Sequence, residues 1–578
     1  MDKLRKEIMR YALENAVTHD GKAAMGPVMG KVMGAHPELK SKAREVAALV
    51  KEVVDEVNSM SLEEQKRLLE ELGGPIKRER RERKGLPPLS GASEGSVVTR
   101  FAPNPDFYIH LGNARPALLS HEYARMYKGK FILRFEDTDP RVKRPDPDAY
   151  AAIREDLRWL GVKWDEEYIQ SLRMETYYRI AKELIRRGCL YVDFCSREEF
   201  RRFRDAGKAC PHRYSPLEDV LEEFEKAVAG HYGEGEVVVR VKTDLKHPNP
   251  SVRDWVAFRV VDTDKYPHPI TGSRYVLWPT YNFAAGVDDH LMGVTHILRG
   301  QEHSVNTIKQ GFIYSCMGWE YPKVINLGRL HLEGLVLSKS TIKSLMKERP
   351  SEYLGPDDPR FGTIAALRRR GILAETLREV ILSVGVKHSD ARVSWDNIAS
   401  LNRKLVDPKA RRYMVVVNPV RLKLEGLPEE LRSVELAYHP DNEVLGRRSI
   451  ELGTEPSVLV EKEDVGVGDA IRLYGLANVK VVKGDEGLTA TFLGSSVQEA
   501  RAAGMRIVHW VPALSKVTVE MLVADSDSLK HINGVGEPSL STVRVGEVVQ
   551  FMRHGFYRID SVKVFANKVV VTAIFAHD

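Results

Sequence analysis

The chain has 578 residues, too many for one core at roughly 100–200 residues per domain, so several domains are expected. Hydrophobic residues at 43% and charged residues at 29% exclude a globally disordered chain, while a net charge of +6 is too small to establish a polyanionic partner. No apolar run approaches the ~18 residues of a membrane helix, the N-terminus MDKLRKEIMRYALENA has no apolar signal core, and Cys189, Cys195, Cys210 and Cys316 make no dense disulfide framework, so a reduced, cytoplasmic setting with no membrane is expected.

Residues 1–76 carry helical periodicity, with Val46, Val50, Val53, Val54 and Val57 on one face, then Ser61 and Glu64 as a capping box ahead of Leu68, Leu69 and Leu72. Residues 77–94 mix dense charge with proline and glycine and read as a linker. From residue 95 the pattern alternates. VVTRFAP is strand-like, HLGNARPALLSHEYARMY helix-like and KFILRFEDTDP strand-like, and further helix-like segments lead to a strand at CLYVDF. Such alternation predicts an α/β, doubly wound, Rossmann-like fold: one half over 95–195, an insertion over 196–274, and a second half over 275–341. Residues 342–413 read as helical, and 414–578 as all-β, with short β-branched runs between turn residues that predict barrels.

Parallel sheets bind ligands beyond the carboxyl ends of their strands, and FAPNPDFYIHLGN lies between such a strand and a helix N-terminus. His110 there could donate a hydrogen bond to a phosphoryl group, and Gly112 lets a ligand approach the backbone. A histidine in a turn is, taken singly, more often structural. GLVLSKST at 334–341 supplies Lys339, a mobile cation of the kind nucleotidyl transfer uses, although a surface lysine reads the same way.

PNPDFYIHLGN and VLSKS resemble the HIGH and KMSKS signatures of class I aminoacyl-tRNA synthetases. RFAPNP…HLGNAR, LRFEDTDP, PTYNFAAGVDDHLMGVTHILRGQEH and SLNRKLVDPKARRY are similar to archaeal-type glutamyl-tRNA synthetases over residues 95–578. Asn113 stands where HIGH has its second histidine and Leu337 where KMSKS has methionine. The resemblance implies His110 and Lys339 as catalytic, with ATP held by Asn104, Pro105, Asp106, His110, Gly112, Asn113, Arg329, Leu330, Leu337, Ser338 and Lys339. It implies a glutamate pocket of Arg100, Glu136, Tyr281 and Arg299, in which Glu136 pairs the ammonium and an arginine fork grips the side-chain carboxylate. It also implies Mg²⁺ on the ATP phosphates, tRNA(Glu) as partner, a monomer, acceptor-stem contacts from the insertion and the helical region, and anticodon binding by the barrels.

Charging of tRNA(Gln) as well stays open. A glutaminyl-tRNA synthetase is the nearest alternative and resembles this chain but usually lacks arginine at the position of Arg299. A non-catalytic tRNA-binding relative would not need both His110 and Lys339, and a transferase acting on a modified tRNA base would normally lack the C-terminal region. Cys195, Cys210 and His212 have the short paired spacing of a zinc knuckle, with Asp193 where a first cysteine would stand; with three good ligands clear, no metal is assigned.

Overall fold

The computed structural model describes residues 2–19, 21–36, 43–72, 74, 85–484, 487–525, 528–566 and 568–578. Residues 1–85 form a compact unit of their own. Helices Asp2–Thr18, Met25–Ala35, Ala43–Asn58 and Leu62–Glu71 enclose a core that includes Val46, Val50, Val53, Val54 and Val57. The capping box forms as expected: the Glu64 amide donates to Ser61 Oγ at 3.3 Å, and the Ser61 amide to Glu64 Oε2 at 2.9 Å. Lys77 to Lys84 of the expected linker lie outside the described residues. Its second half is no free tether. Leu89 is buried in the core of the larger unit, its amide donates to the Tyr127 hydroxyl at 2.9 Å, and Lys323 Nζ donates to the Ser90 carbonyl at 2.8 Å.

In the larger unit, strand Lys130–Phe135 pairs in parallel with Val98–Phe101 on one side and Glu166–Ile169 on the other. His296–Gly300 pairs in parallel with Lys323–Leu327. The two groups meet where the Thr295 amide donates to the Val98 carbonyl and the Val98 amide to Thr295 Oγ1, both at 2.9 Å. The central strand Lys130–Phe135 is the most apolar and the most buried of them; its Phe131, Ile132, Leu133 and Phe135 have no exposed surface. The fold therefore brings the carboxyl ends at Arg100, Phe135 and Arg299 to one edge, where open α/β sheets hold ligands.

The insertion begins earlier and ends later than the sequence pattern suggests. Leu190–Asp193 and Leu277–Pro279 do not join the parallel sheet; they are the outer strands of an antiparallel sheet with Val238–Val241 and Val256–Val260 between them. Alternating hydrophobicity cannot distinguish which sheet a short buried strand enters. The helical region, with helices Ile364–Arg369, Ala374–Val384 and Trp395–Val406, also donates a strand, Ala391–Val393, which pairs in parallel with Leu330–Leu332.

Two seven-stranded sheets and a two-stranded one, Ser433–Ala437 with Arg447–Glu451, make up the C-terminal region. The edge strands of one seven-stranded sheet are Arg412–Tyr413 and Val415–Val417, and those of the other are Arg506–Val508 and Trp510–Pro512. In each of these two the edges are consecutive in the chain with one residue between them, so each sheet curls back on itself as a nearly closed barrel, which protects its edges. Cys189 and Cys316, expected to be reduced, are joined by a disulfide that ties the residue entering strand Leu190–Asp193 to helix Ser304–Met317.

Candidate active site

His110 is the N-cap of helix Leu111–Met126. The Gly112 amide donates to His110 Nδ1 at 3.0 Å, so in the neutral ring the proton resides on Nε2, which is left as a donor. Burial pushes the His110 pKa down to about 4, which keeps the ring neutral. Asn113 Oδ1 turns back toward the His110 amide at 3.5 Å, leaving its own NH₂ group directed outward from an exposed side chain. A side chain at Gly112 would run into the His110 ring and approach the Leu330 carbonyl, so glycine keeps this cradle open. Asn104 Oδ1 is buried without a partner beside it in the same loop, and the Pro105 carbonyl is engaged by the Asp146 amide at 2.8 Å.

The lysine loop lies against this cradle through a segment that sequence reasoning missed. The Leu111 amide donates to the Gly362 carbonyl at 3.1 Å, the Ile364 amide to the Ile109 carbonyl at 3.0 Å, and the Gly362 amide to the Val336 carbonyl at 2.9 Å. Residues 361–364 thus bridge the histidine cradle and the lysine loop. Leu337 packs so close to Gly362 that any side chain there would collide with it. Ser338 caps helix Lys339–Glu348, which puts Lys339 at the first helical position. A lysine at the positive end of a helix dipole is unfavourable until an anion arrives. Asp106 serves as that anion here, pairing with Lys339 and, at 3.6 Å, with Lys343. Asp106 therefore enters the site as a counter-ion to the lysines. Arg329 is exposed, with its amide fixed by Asp390 Oδ1 at 2.8 Å. Arg115 of HLGNAR is fully buried and staples the Gly328, Gly385 and Lys387 carbonyls at 2.7, 2.8 and 3.1 Å, which anchors the loop leading to Arg329.

A second group of residues gathers beside the strand ends. Arg100, Glu136 and Arg299 are 4%, 9% and 5% exposed, so the charges they carry must find partners. Arg100 Nε donates to Asp289 Oδ1 at 3.1 Å. Glu136 accepts from Arg134 Nη2 at 2.9 Å, and burial pushes its carboxyl up against the pull of Arg134 and Arg100. The Tyr281 phenol is pushed up to about 12 by burial and by the charge of Glu136, with Arg299 and Arg100 close enough to oppose the shift. Arg299 differs from the others. Its hydrogen bonds go only to neutral groups, Thr307 Oγ1 at 2.6 Å, Gln310 Oε1 at 3.4 Å and the Tyr321 hydroxyl at 3.4 Å, and its Nε has no partner. A guanidinium buried with neutral hydrogen-bond partners and a free Nε retains the capacity to pair with an anion.

The insertion holds a third cluster. Asp193, Cys195, Cys210 and His212 present ligand atoms within 4.8 Å of one another. His212 Nδ1 is 3.0 Å from Asp193 Oδ1 and 3.5 Å from Cys195 Sγ, and Cys210 Sγ is 3.6 Å from Asp193 Oδ1. Ligand bonds of ~2.0–2.3 Å give tetrahedral edges of about 3.3–3.8 Å, which two of these three separations match, so small side-chain shifts would close the set on a zinc ion. Asp193, which the sequence places in a cysteine's position, turns inward and joins the other three, with Arg240 Nε holding its other oxygen at 2.5 Å. Burial and Asp193 push the Cys195 thiol up to about 12, a cost that a divalent cation would reverse.

A nucleotide cradle at the end of the first strand of a parallel sheet, a lysine loop facing it and C-terminal β-barrels define a class I aminoacyl-tRNA synthetase. Residues 96–408 match the family described as tRNA synthetases class I (E and Q), catalytic domain, and residues 410–493 and 507–560 match its two anti-codon binding domains. The chain belongs to this glutamyl and glutaminyl family. It is 52% identical to the glutamate–tRNA ligase of Hyperthermus butylicus over 98% of this chain and 100% of that one. Identity is 52% to the enzyme of Aeropyrum pernix (98% and 99% covered) and 51% to that of Pyrococcus abyssi (98% and 99%).

Proposed function

We propose that the chain is an ATP-dependent ligase that attaches glutamate to tRNA. The α-carboxylate of L-glutamate attacks the α-phosphorus of ATP and expels pyrophosphate, and a terminal ribose hydroxyl of tRNA(Glu) then attacks the glutamyl-adenylate and releases AMP. Both nucleophiles belong to substrates, so the protein contributes position and charge. The neutral His110 donates from Nε2 toward the phosphates, and Lys339 exchanges Asp106 for them. Mg²⁺ would travel on the ATP phosphates, since the one grouping of three or more metal-ligating side chains among the described residues is in the insertion. Asp193, Cys195, Cys210 and His212 would hold a structural zinc there.

The observation that carries the choice of glutamate is Arg299, a buried guanidinium with neutral partners and an orphaned Nε. Glu136 takes the ammonium and Arg299 the side-chain carboxylate. The names of the relatives support the same substrate. No described helix is long and apolar enough to cross a membrane, and this reading retains a monomer at work in the cytoplasm. Aminoacylation with labelled glutamate and labelled glutamine, each with ATP and purified tRNA(Glu) or tRNA(Gln), tests it. Glutamate should be attached to tRNA(Glu) and glutamine to neither; attachment of glutamine in preference would overturn the reading.

A further inference from the structure

Asp289 is 2% exposed and lies on helix Tyr281–Leu291, whose first residue is in the proposed pocket. Its carboxylate accepts from Arg100 Nε at 3.1 Å and Nη2 at 3.5 Å, and from Arg134 Nη1 at 2.8 Å. Arg134, with no exposed surface, donates through its other terminal nitrogen to Glu136 at 2.9 Å. One carboxylate therefore fixes the arginine of the first strand, the arginine of the second, and through the latter the glutamate that follows it. It also balances charge. Arg100, Arg134 and Arg299 against Glu136 and Asp289 leave one net positive charge, which is what a free glutamate, with one net negative charge, neutralises and a free glutamine does not.

We propose that Asp289 is the positioning residue of the amino-acid pocket, aiming Arg100 directly and holding Glu136 through Arg134. The inference rests on the glutamate pocket proposed above. Asp289 touches no substrate in it, because both of its oxygens are taken by arginines. The adjacent Asp288 provides an internal comparison. It is equally buried, yet accepts from Tyr177, Gln170 and Arg173 at 2.6, 3.1 and 2.9 Å, and so staples the helix to residues 170–177 without reaching Arg100 or Glu136.

Steady-state aminoacylation by the full chain with saturating tRNA separates the two. Asp289→Asn should raise KM for glutamate about 10–100-fold, the range of a lost charge-assisted hydrogen bond, with KM for ATP within about twofold of wild type. Asp288→Asn should lower the melting temperature and leave KM for glutamate within about twofold. In a cycle with Arg100→Ala, the double variant should lose less than the product of the single losses, since Asp289 acts partly through Arg100. If Asp289→Asn does not fold, Arg134→Lys keeps the charge, removes the fork that joins Asp289 to Glu136, and should raise the glutamate KM in the same way. An unchanged glutamate KM in the folded variant, or fully multiplicative losses, would overturn the inference. A wild-type chain that charges no glutamate would instead remove the pocket itself.

Discussion

The Gly112 amide donates to His110 Nδ1 at 3.0 Å, and this single bond decides which face of the ring works. Nδ1 is occupied, Nε2 carries the proton, and burial holds the pKa at about 4 against an ordinary 6.5. The histidine is therefore a neutral donor at physiological pH. As far as His110 is concerned, kcat/KM for ATP should be flat between pH 6 and 8 and fall with an inflexion near 4. Stability follows the same group. Between 4 and 6.5 the unfolded chain binds the proton and the folded chain does not, so the contribution is complete above 6.5 and lost as pH falls toward 4. Titration of the ring by NMR near 6.5 in the folded protein would contradict both expectations.

Lys339→Ala should slow adenylation by ~10²–10³-fold, as for loss of one charge-stabilising group, and leave tRNA affinity nearly unchanged. Gly362→Ala tests the bridge between the histidine cradle and the lysine loop. The added methyl displaces Leu337, two residues from Lys339, so adenylation should fall by about tenfold, equivalent to ~1.4 kcal/mol, while KM for glutamate holds. Single-turnover measurement of adenylate formation decides each case.

Purified protein prepared in metal-replete medium should contain about one zinc per chain, and Asp193→Ala should reduce that content and lower the melting temperature. Elemental analysis that finds no metal in wild type would return Asp193, Cys195, Cys210 and His212 to a hydrogen-bonded cluster.

Reduction of the Cys189–Cys316 disulfide should lower thermal stability. The loop it closes has a sequence separation of 127 residues. In the chain-entropy account such a closure is worth at most about 5 kcal/mol. Melting curves with and without reductant, beside Cys316→Ser, measure the effect; coincident curves for the oxidised and reduced protein would contradict it.

The parts legible in the sequence were those carried by local pattern. The helix after His110, the strand that carries Arg100 and the capping box at Ser61 each follow from residues within a few positions of one another. What the sequence left hidden is made by distant partners. Residues 361–364 matter because they pair with Val336 and with Ile109 to Leu111, and nothing in RFGTI announces either contact. Asp288 and Asp289 are alike in sequence and adjacent, but helical geometry turns them toward different partners, one to Tyr177 and the other to Arg100 and Arg134. Strand Leu190–Asp193 was visible as a strand, whereas its antiparallel partner Val238–Val241 lies more than forty residues on, so the sheet it enters was not. The near closure of the barrels depends on which strands become edges, a property of the whole sheet.

The central claim is that Arg299 reads the substrate side chain, and Arg299→Cys tests it most directly. Removing one partner of a buried charge pair costs on the order of 3–5 kcal/mol, or roughly 10²–10⁴-fold at ~1.4 kcal/mol per factor of ten. Arg100 keeps its Asp289 pairing and remains in the pocket, so some glutamate activity should survive. The measurement is kcat/KM for glutamate and for glutamine with tRNA present. The account predicts that the glutamate-to-glutamine ratio falls by that factor in Arg299→Cys, because glutamine strands no charge; a ratio unchanged from wild type would contradict it.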